Sequence, residues 1–148
     1  MKQLITYSFL LFTFRANAQV KNIFDIARKG NLQEIQEIYK NNPTSIDSVD
    51  EKKSSPLLLA CYRGNTDVAL FLADKTKNIN YNSGMGTALM ATVMSGNATI
   101  VEKLIAVKAD LNLADTSGKT ALIYATFFNK TDIVKLLLQA GVDKNAKD

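Results

Sequence analysis

The sequence predicts an all-α fold, a solenoid of stacked helix-turn-helix units joined by short hairpin-like loops. Three segments, at residues 54–73, 86–106 and 119–141, superpose at steps of 32 and then 33 residues. A fixed period of this length is the signature of a repeat architecture. With 148 residues and 47% hydrophobic content, the chain also has enough apolar material for one continuous core. The aligned positions are Ser55, Thr87 and Thr120; Leu57, Leu89 and Leu122; Gly64, Gly96 and Asn129; Val68, Ile100 and Ile133; Leu72, Leu104 and Leu137; and Asn80, Asn112 and Asn145.

Each unit contains the signals for two helices. A Ser or Thr begins the first helix, because its hydroxyl accepts a hydrogen bond from a free backbone amide, and Pro56 suits the first helical turn. A Gly ends that helix, and in the last unit Asn129 takes its place, a residue that also adopts the left-handed conformation. The second helix has apolar residues at helical spacing, as in Ile133, Val134 and Leu137, and an Asn- and Asp-rich segment follows.

These units closely resemble the ankyrin repeat. The shared features are the 33-residue period, a "TPLH"-like helix start, a pair of small residues, a Gly turn, the second helix "IVKLLL" and the exit "AGVDKN". The resemblance covers 50–148 as three repeats, at about 50–81, 82–114 and 115–147. Residues 19–49 resemble a degenerate repeat whose polar second helix suits an N-terminal cap.

One departure from the family pattern concerns the His of "TPLH". Leu58, Met90 and Ile123 occupy its position, and the chain has no histidine. In the family this His ties the turn together by hydrogen bonding. We therefore expect these turns to be less rigid, or to be held by packing.

The first 18 residues have the features of a signal peptide. Lys2 forms a short positive region, and Leu4–Phe14 is an apolar stretch too short to span a bilayer. The small-x-small sequence at 16–18 is a signal-peptidase pattern, so that the mature chain would begin at Gln19.

The predicted leader affects both location and charge. Arg15, a charge directly after the apolar stretch, is unusual in a signal peptide and leaves open an uncleaved anchor or hydrophobic leader helix. Removal of Lys2 and Arg15 from the 18 basic residues leaves 16 against 14 acidic ones, a charge of +2. This excess is too small to indicate nucleic acid or anionic lipid as a partner. We expect a bacterial protein that is exported, periplasmic or secreted, with no stable membrane anchor after cleavage.

The residues needed for catalysis or metal binding are scarce. Without histidine and with one cysteine, the chain has no Ser/His/Asp or Cys/His arrangement and no zinc cluster. Cys61 lies among small apolar residues, and we expect it to be buried and inert. The segment "SGMGT" around Met85 is better explained as a hairpin tip than as a phosphate loop. The Asp residues fall in turns, where they bond to nearby amides. We therefore predict no catalytic, cofactor or metal site.

The residues that the repeat pattern leaves unexplained lie just before the Gly turn. The first of the two positions holds Tyr62, Met94 and Phe127, and the second holds Arg63, Ser95 and Phe128. The resemblance implies that these positions lie on the concave partner surface, which the hairpin tips extend. Because repeats stack in register, Tyr62, Met94 and Phe127 should form one stripe. The tips add Glu51, Lys52, Ser54, Ser83, Thr116, Ser117 and Lys119.

An alternative places these side chains in the core. A small stack needs all its apolar area, and Phe128 is then the member of its pair that is more readily buried. Replacing Tyr62, Met94 and Phe127 distinguishes the two interpretations, because only core residues would be needed for stability.

The resemblance implies a non-enzymatic module that binds a protein partner of unidentified nature, and we expect it to be a monomer. Three alternatives remain open. The first is a structural scaffold or accessory that stabilises a neighbouring envelope enzyme. The second is a fragment of a longer ankyrin array, since Asp148 would open another repeat. The third is an enzyme with an unfamiliar site.

Overall fold

Four helix pairs make up the part of the chain that the computed structural model describes, residues 21–145. No β-strand occurs in that range, and its single antiparallel bridge joins Ala114 and Thr120. This confirms the predicted all-α class. None of the helices in this range is long and apolar enough to cross a bilayer. The helices are α1 (Ile23–Lys29), α2 (Leu32–Asn41), α3 (Pro56–Arg63), α4 (Thr66–Lys75), α5 (Ala88–Ser95), α6 (Ala98–Ala106), α7 (Ala121–Phe127) and α8 (Thr131–Gln139), with a 3₁₀ helix at Pro43–Asp47.

The helices stack in two rows. The inner row consists of α1, α3, α5 and α7, and the outer row of α2, α4, α6 and α8; each helix contacts its neighbour in the row and its partner in the pair. The core lies between the rows, with Leu72, Leu104 and Leu137 of the outer row fully buried. A single unit cannot bury these side chains by itself. Contacts between neighbouring units therefore stabilise the stack. The predicted signal peptide lies outside the described residues.

The inner helices begin as the sequence predicts. The hydroxyls of Ser55, Thr87 and Thr120 each accept a hydrogen bond from the backbone amide three residues later in the chain, at 3.2, 3.4 and 3.4 Å. Such a cap contributes about 1 kcal/mol to helix stability.

The ends of the same helices also follow the prediction. Gly64 and Gly96 have φ values of 65° and 71°, and Asn129 has a φ of 55°. Asn129 therefore adopts the left-handed conformation that the turn requires, although it has a side chain.

In place of the missing histidines, packing side chains and aspartate carboxylates hold the hairpins. Met90 is buried and Leu58 and Ile123 are half-buried, so that packing occurs as expected. Asp50 Oδ1 accepts hydrogen bonds from the amides of Lys52 and Ser54 at 3.0 and 2.8 Å. Asp115 makes the same pair of bonds in the last hairpin, from the amides of Ser117 and Lys119. The sequence indicated the carboxylate bonds and the packing separately, and the structure combines them in each of these two hairpins.

Asparagine side chains connect consecutive repeats near the helix turns. Asn65 Nδ2 donates to the carbonyls of Gly30, Ala27 and Ile26 at 3.0, 3.2 and 3.4 Å. One repeat further, Asn97 Nδ2 donates to Thr66 Oγ1 at 2.8 Å. These bonds fix the rotational register of one helix pair on the next.

A second connection joins the exit turns. Asn80 Oδ1 accepts from the amide of Asp110 at 2.8 Å, and Asn112 Oδ1 accepts from the amide of Asp143 at 2.7 Å. The two Asn residues are equivalent positions of successive repeats. The same bond therefore recurs at the last two of the three steps of the stack.

Replacing Asn65 with Ala tests the connection at the helix turns. One side-chain amide donates to three carbonyls of the first unit, and its loss removes these bonds from partly buried acceptors. We expect Asn65→Ala to lower the free energy of unfolding by about 1–3 kcal/mol. Asn41→Ala, at an exposed position of α2, is the control and should change it by less than about 0.5 kcal/mol. Urea titration followed by circular dichroism measures both, and equal shifts would contradict the proposed connection.

Candidate functional site

The three side chains of the predicted stripe are exposed. Tyr62, Met94 and Phe127 are 53%, 43% and 78% exposed, and each lies in the last two residues of an inner helix. Because α3 packs on α5 and α5 on α7, these equivalent positions succeed one another along the inner row. The alternative interpretation, in which they belong to the core, is therefore wrong for these three residues. We call Tyr62, Met94 and Phe127 the stripe.

At its C-terminal end the stripe is part of an aromatic cluster, formed by Tyr124, Phe127 and Phe128. The rings of Phe127 and Phe128 meet edge to face, with centroids 5.1 Å apart at 87°. Phe128 also stacks on Tyr124, with centroids 6.2 Å apart at 10°. Phe128, at 39% exposure, is the more buried of the adjacent pair, as expected. Phe127 is thus the more exposed residue of the pair, and the ring of Phe128 packs against its side.

A hydrogen bond attaches this cluster to the last hairpin. The hydroxyl of Tyr124 donates to Asp115 Oδ2, and this bond raises the pKa of the tyrosine above its ordinary value. Desolvation acts to raise the pKa of Asp115, but the hydrogen bonds from Tyr124, Lys119 and Ser117 outweigh it and hold that pKa below its ordinary value. At neutral pH the donor is therefore protonated and the acceptor ionised. The bond orients the Tyr124 ring against which Phe128 lies.

The second position before the turn varies in chemistry from repeat to repeat. Arg63 is exposed, whereas Ser95 is half-buried and its hydroxyl donates to the carbonyl of Thr92 at 3.0 Å. Phe128 completes the series. In the first unit, the equivalent residues are Arg28, which is half-buried, and Lys29, which is exposed.

The predicted polar residues of the hairpin tips differ in accessibility. Glu51 and Lys52 are exposed, whereas Lys119 is half-buried and its charge stabilises the ionised form of Asp115. Thr116 Oγ1 donates to the carbonyl of Gly84 at 2.9 Å, so that this side chain joins two hairpins. The remaining tip residues are Ser54 and Ser83, both half-buried, and Ser117, which is exposed.

Met85 is a surface residue that sequence reasoning did not select. Its side chain is 87% exposed at the tip of the hairpin before α5, between Gly84 and Gly86, whose φ values are 87° and 129°. These angles confirm that "SGMGT" forms a hairpin tip. A large apolar residue between two such glycines was the available signal.

The described residues contain little reactive chemistry. Cys61 is fully buried, as predicted, and burial raises the pKa of its thiol to about 12, which disfavours the reactive thiolate. Among residues 21–145, no three His, Cys, Asp or Glu side chains form a group that could hold a metal ion. The exposed large apolar side chains of these residues include the stripe and Met85.

Comparison with known proteins agrees with the geometry. The family model described as "Ankyrin repeats (3 copies)" matches residues 23–115 and 77–148. The Ankyrin repeat domain-containing protein SAT10 of Stachybotrys chartarum is 30% identical over 112 residues, which are 76% of this chain and 6% of that protein.

Two further relatives come from a mammal and a bacterium. The rat Ankyrin repeat and SAM domain-containing protein 6 is 30% identical over 84% of this chain and 14% of its own length. An ankyrin repeat protein of Rickettsia felis is 33% identical over 90% of this chain and 45% of its own length. This chain therefore spans less than half of each of these relatives. The repeat period, the helix pairs and the family match together place the chain in the ankyrin repeat family.

Proposed function

We propose that this chain is a non-enzymatic module that binds a protein partner through the stripe and the neighbouring hairpin tips. The exposure of Tyr62, Met94 and Phe127 at one register position of three stacked helices carries this proposal. Exposed aromatic and Met side chains are enriched where proteins bind one another, since they bury a large area at low rotamer cost. In ankyrin stacks these positions belong to the concave face.

The strength of such a contact can be bounded. Burying a fully exposed side chain of this kind contributes about 1.5–3 kcal/mol, and each stripe residue contributes less because it is 43–78% exposed. Association costs about 4–15 kcal/mol in lost freedom of motion. Three apolar side chains alone therefore support weak binding, and further contacts are needed for a stable complex. The aromatic cluster reduces the cost, because Phe127 is already held by Phe128.

A binding role agrees better with the residue inventory than catalysis does. Ankyrin repeats are typically interaction modules without catalytic activity, and the single thiol, Cys61, is buried. The small net charge disfavours nucleic acid as a partner. A monomer is the proposed form. A structural role within a longer array, or beside an envelope enzyme, is the alternative.

Export to the periplasm or beyond is part of the proposal, and it rests on the leader-like sequence of residues 1–18. We expect the protein isolated from its native host to begin at Gln19, because signal peptidase cuts after the small-x-small pattern. Mass spectrometry of the intact protein measures this directly. A mature chain that retains residues 1–18 would show that the segment is not a cleaved signal.

The binding surface is tested by replacing the stripe. We expect the combined change Tyr62→Ser, Met94→Ser and Phe127→Ser to abolish capture of partners from the host's envelope fraction. The free energy of unfolding should fall by no more than about 1.5 kcal/mol, since the three side chains are exposed.

The matched control replaces exposed leucines of the outer row. Leu32→Ser and Leu138→Ser remove apolar area from α2 and α8, and capture should persist. If capture survives the stripe change or is lost equally in the control, the stripe is not the binding surface. A stability loss of several kcal/mol would show that its residues hold the fold instead.

A further inference from the structure

We infer that the partner of this surface is a polypeptide segment with two parts, acidic at the end over the first two repeats and apolar at the end over the last two. This inference rests on the proposed binding role of the stripe. It adds the chemistry and the orientation of the partner.

The basis is a gradient along the inner row. The two residues before each helix turn are Arg28 and Lys29, then Tyr62 and Arg63, then Met94 and Ser95, then Phe127 and Phe128. At these two positions positive charge is thus confined to the first two units, and the last two units carry apolar side chains with one serine there. A single surface therefore offers two chemistries at its opposite ends.

The cations at the N-terminal end differ in whether their charge is already neutralised. The guanidinium of Arg28 lies 3.1 Å from the carboxylate of Asp50 and 3.6 Å from that of Asp25. Its charge is therefore neutralised, and it links α1 to the first hairpin. Lys29 and Arg63 are exposed, and neither forms an ion pair within residues 21–145.

The first hairpin adds to this charge. Lys52 and Lys53 are exposed at its tip, with Glu51 as the acidic neighbour, and these lysines also lack an ion pair in the described part of the chain. Asp50, the other carboxylate of this hairpin, is bound by Arg28 and by two backbone amides. The surface is therefore complementary to a carboxylate-bearing segment.

The opposite end is mainly apolar on its inner helices, and an exposed cation near Phe127 is Lys144 of the last exit turn. Phe127 and Met94 are exposed there, and the hairpin tip of the third unit presents Met85. Lys119, the cation of the last hairpin, is half-buried beside Asp115, whose charge opposes its own. Large apolar side chains of a partner can be buried here against Met94 and Phe127.

The spacing of the two ends follows from the stack. Arg63 and Phe127 are two units apart, and packed helices lie 8–10 Å apart, which gives a separation of about 20 Å. An extended chain covers this distance in about six residues at roughly 3.3 Å each. The acidic and apolar groups of an extended partner should therefore be separated by about six residues.

Selection from a displayed library of random 16-residue peptides tests this chemistry on the purified protein. We expect the enriched peptides to carry Asp or Glu near one end and Phe, Leu or Met about six residues away. The selected peptides should lose at least about tenfold in affinity when the stripe residues Tyr62, Met94 and Phe127 are changed to serine.

A charge reversal separates the acidic contact from the apolar one. Lys29→Glu with Arg63→Glu should weaken the selected peptides by about tenfold at low salt and flatten the dependence of their affinity on salt concentration. The control, Lys40→Glu with Lys75→Glu, makes the same change in net charge on the outer helices of the same units and should leave binding unchanged. Circular dichroism melting confirms that both variants are folded.

The possible outcomes test the two-part partner separately from the role of the stripe as a binding surface. Peptides that depend on the stripe but lack acidic residues, or that ignore the reversal at Lys29 and Arg63, would overturn the two-part partner while leaving the binding surface intact. Peptides that bind without the stripe, or no enrichment at all, would overturn the binding surface and the inference with it.

Discussion

The stacking of one helix pair on the next is the interaction on which every other feature depends. A single unit of about 33 residues cannot bury its own apolar side chains, so that Leu72, Leu104 and Leu137 become buried only in the assembled stack. The hydrogen bonds of Asn65 and Asn97 then fix how the second unit is rotated on the first and the third on the second. Because the register is constant, a position of the repeat becomes a row of side chains along the molecule. The binding surface is a consequence of this regularity.

Within that frame, the residues that maintain the fold and those available for binding are different sets. The hydroxyl caps, the left-handed turns and the exit-turn asparagines repeat with little change. Apart from Arg28, which is ion-paired to Asp50, the two positions before each helix turn vary freely, from Lys29 to Phe127 and Phe128. Since the fold does not require a particular residue there, these positions can carry a specific recognition chemistry. The bond from Tyr124 to Asp115 and the amide bonds within the hairpins hold the surface in place before a partner arrives.

Sequence reasoning predicted most of the architecture, because repetition supplies several independent observations of each position. The helix starts at Ser55, Thr87 and Thr120 and the left-handed turn at Asn129 followed from the capping preferences of those residues. Whether the stripe was exposed did not follow, since an apolar residue at a helix end fits a core position and a binding position equally well. Nor did the role of Tyr124, whose partner Asp115 is nine residues away and reached only through the hairpin fold.

The central claim is that the solvent side of the inner row, and not the outer row, meets the partner. Photocrosslinking in the native host tests it most directly, with p-benzoylphenylalanine placed either at position 127 on α7 or at position 138 on α8, both of which are exposed. We expect a covalent adduct of defined mass from position 127 and none from position 138. Adducts that form equally from position 138, or that form there alone, would contradict it.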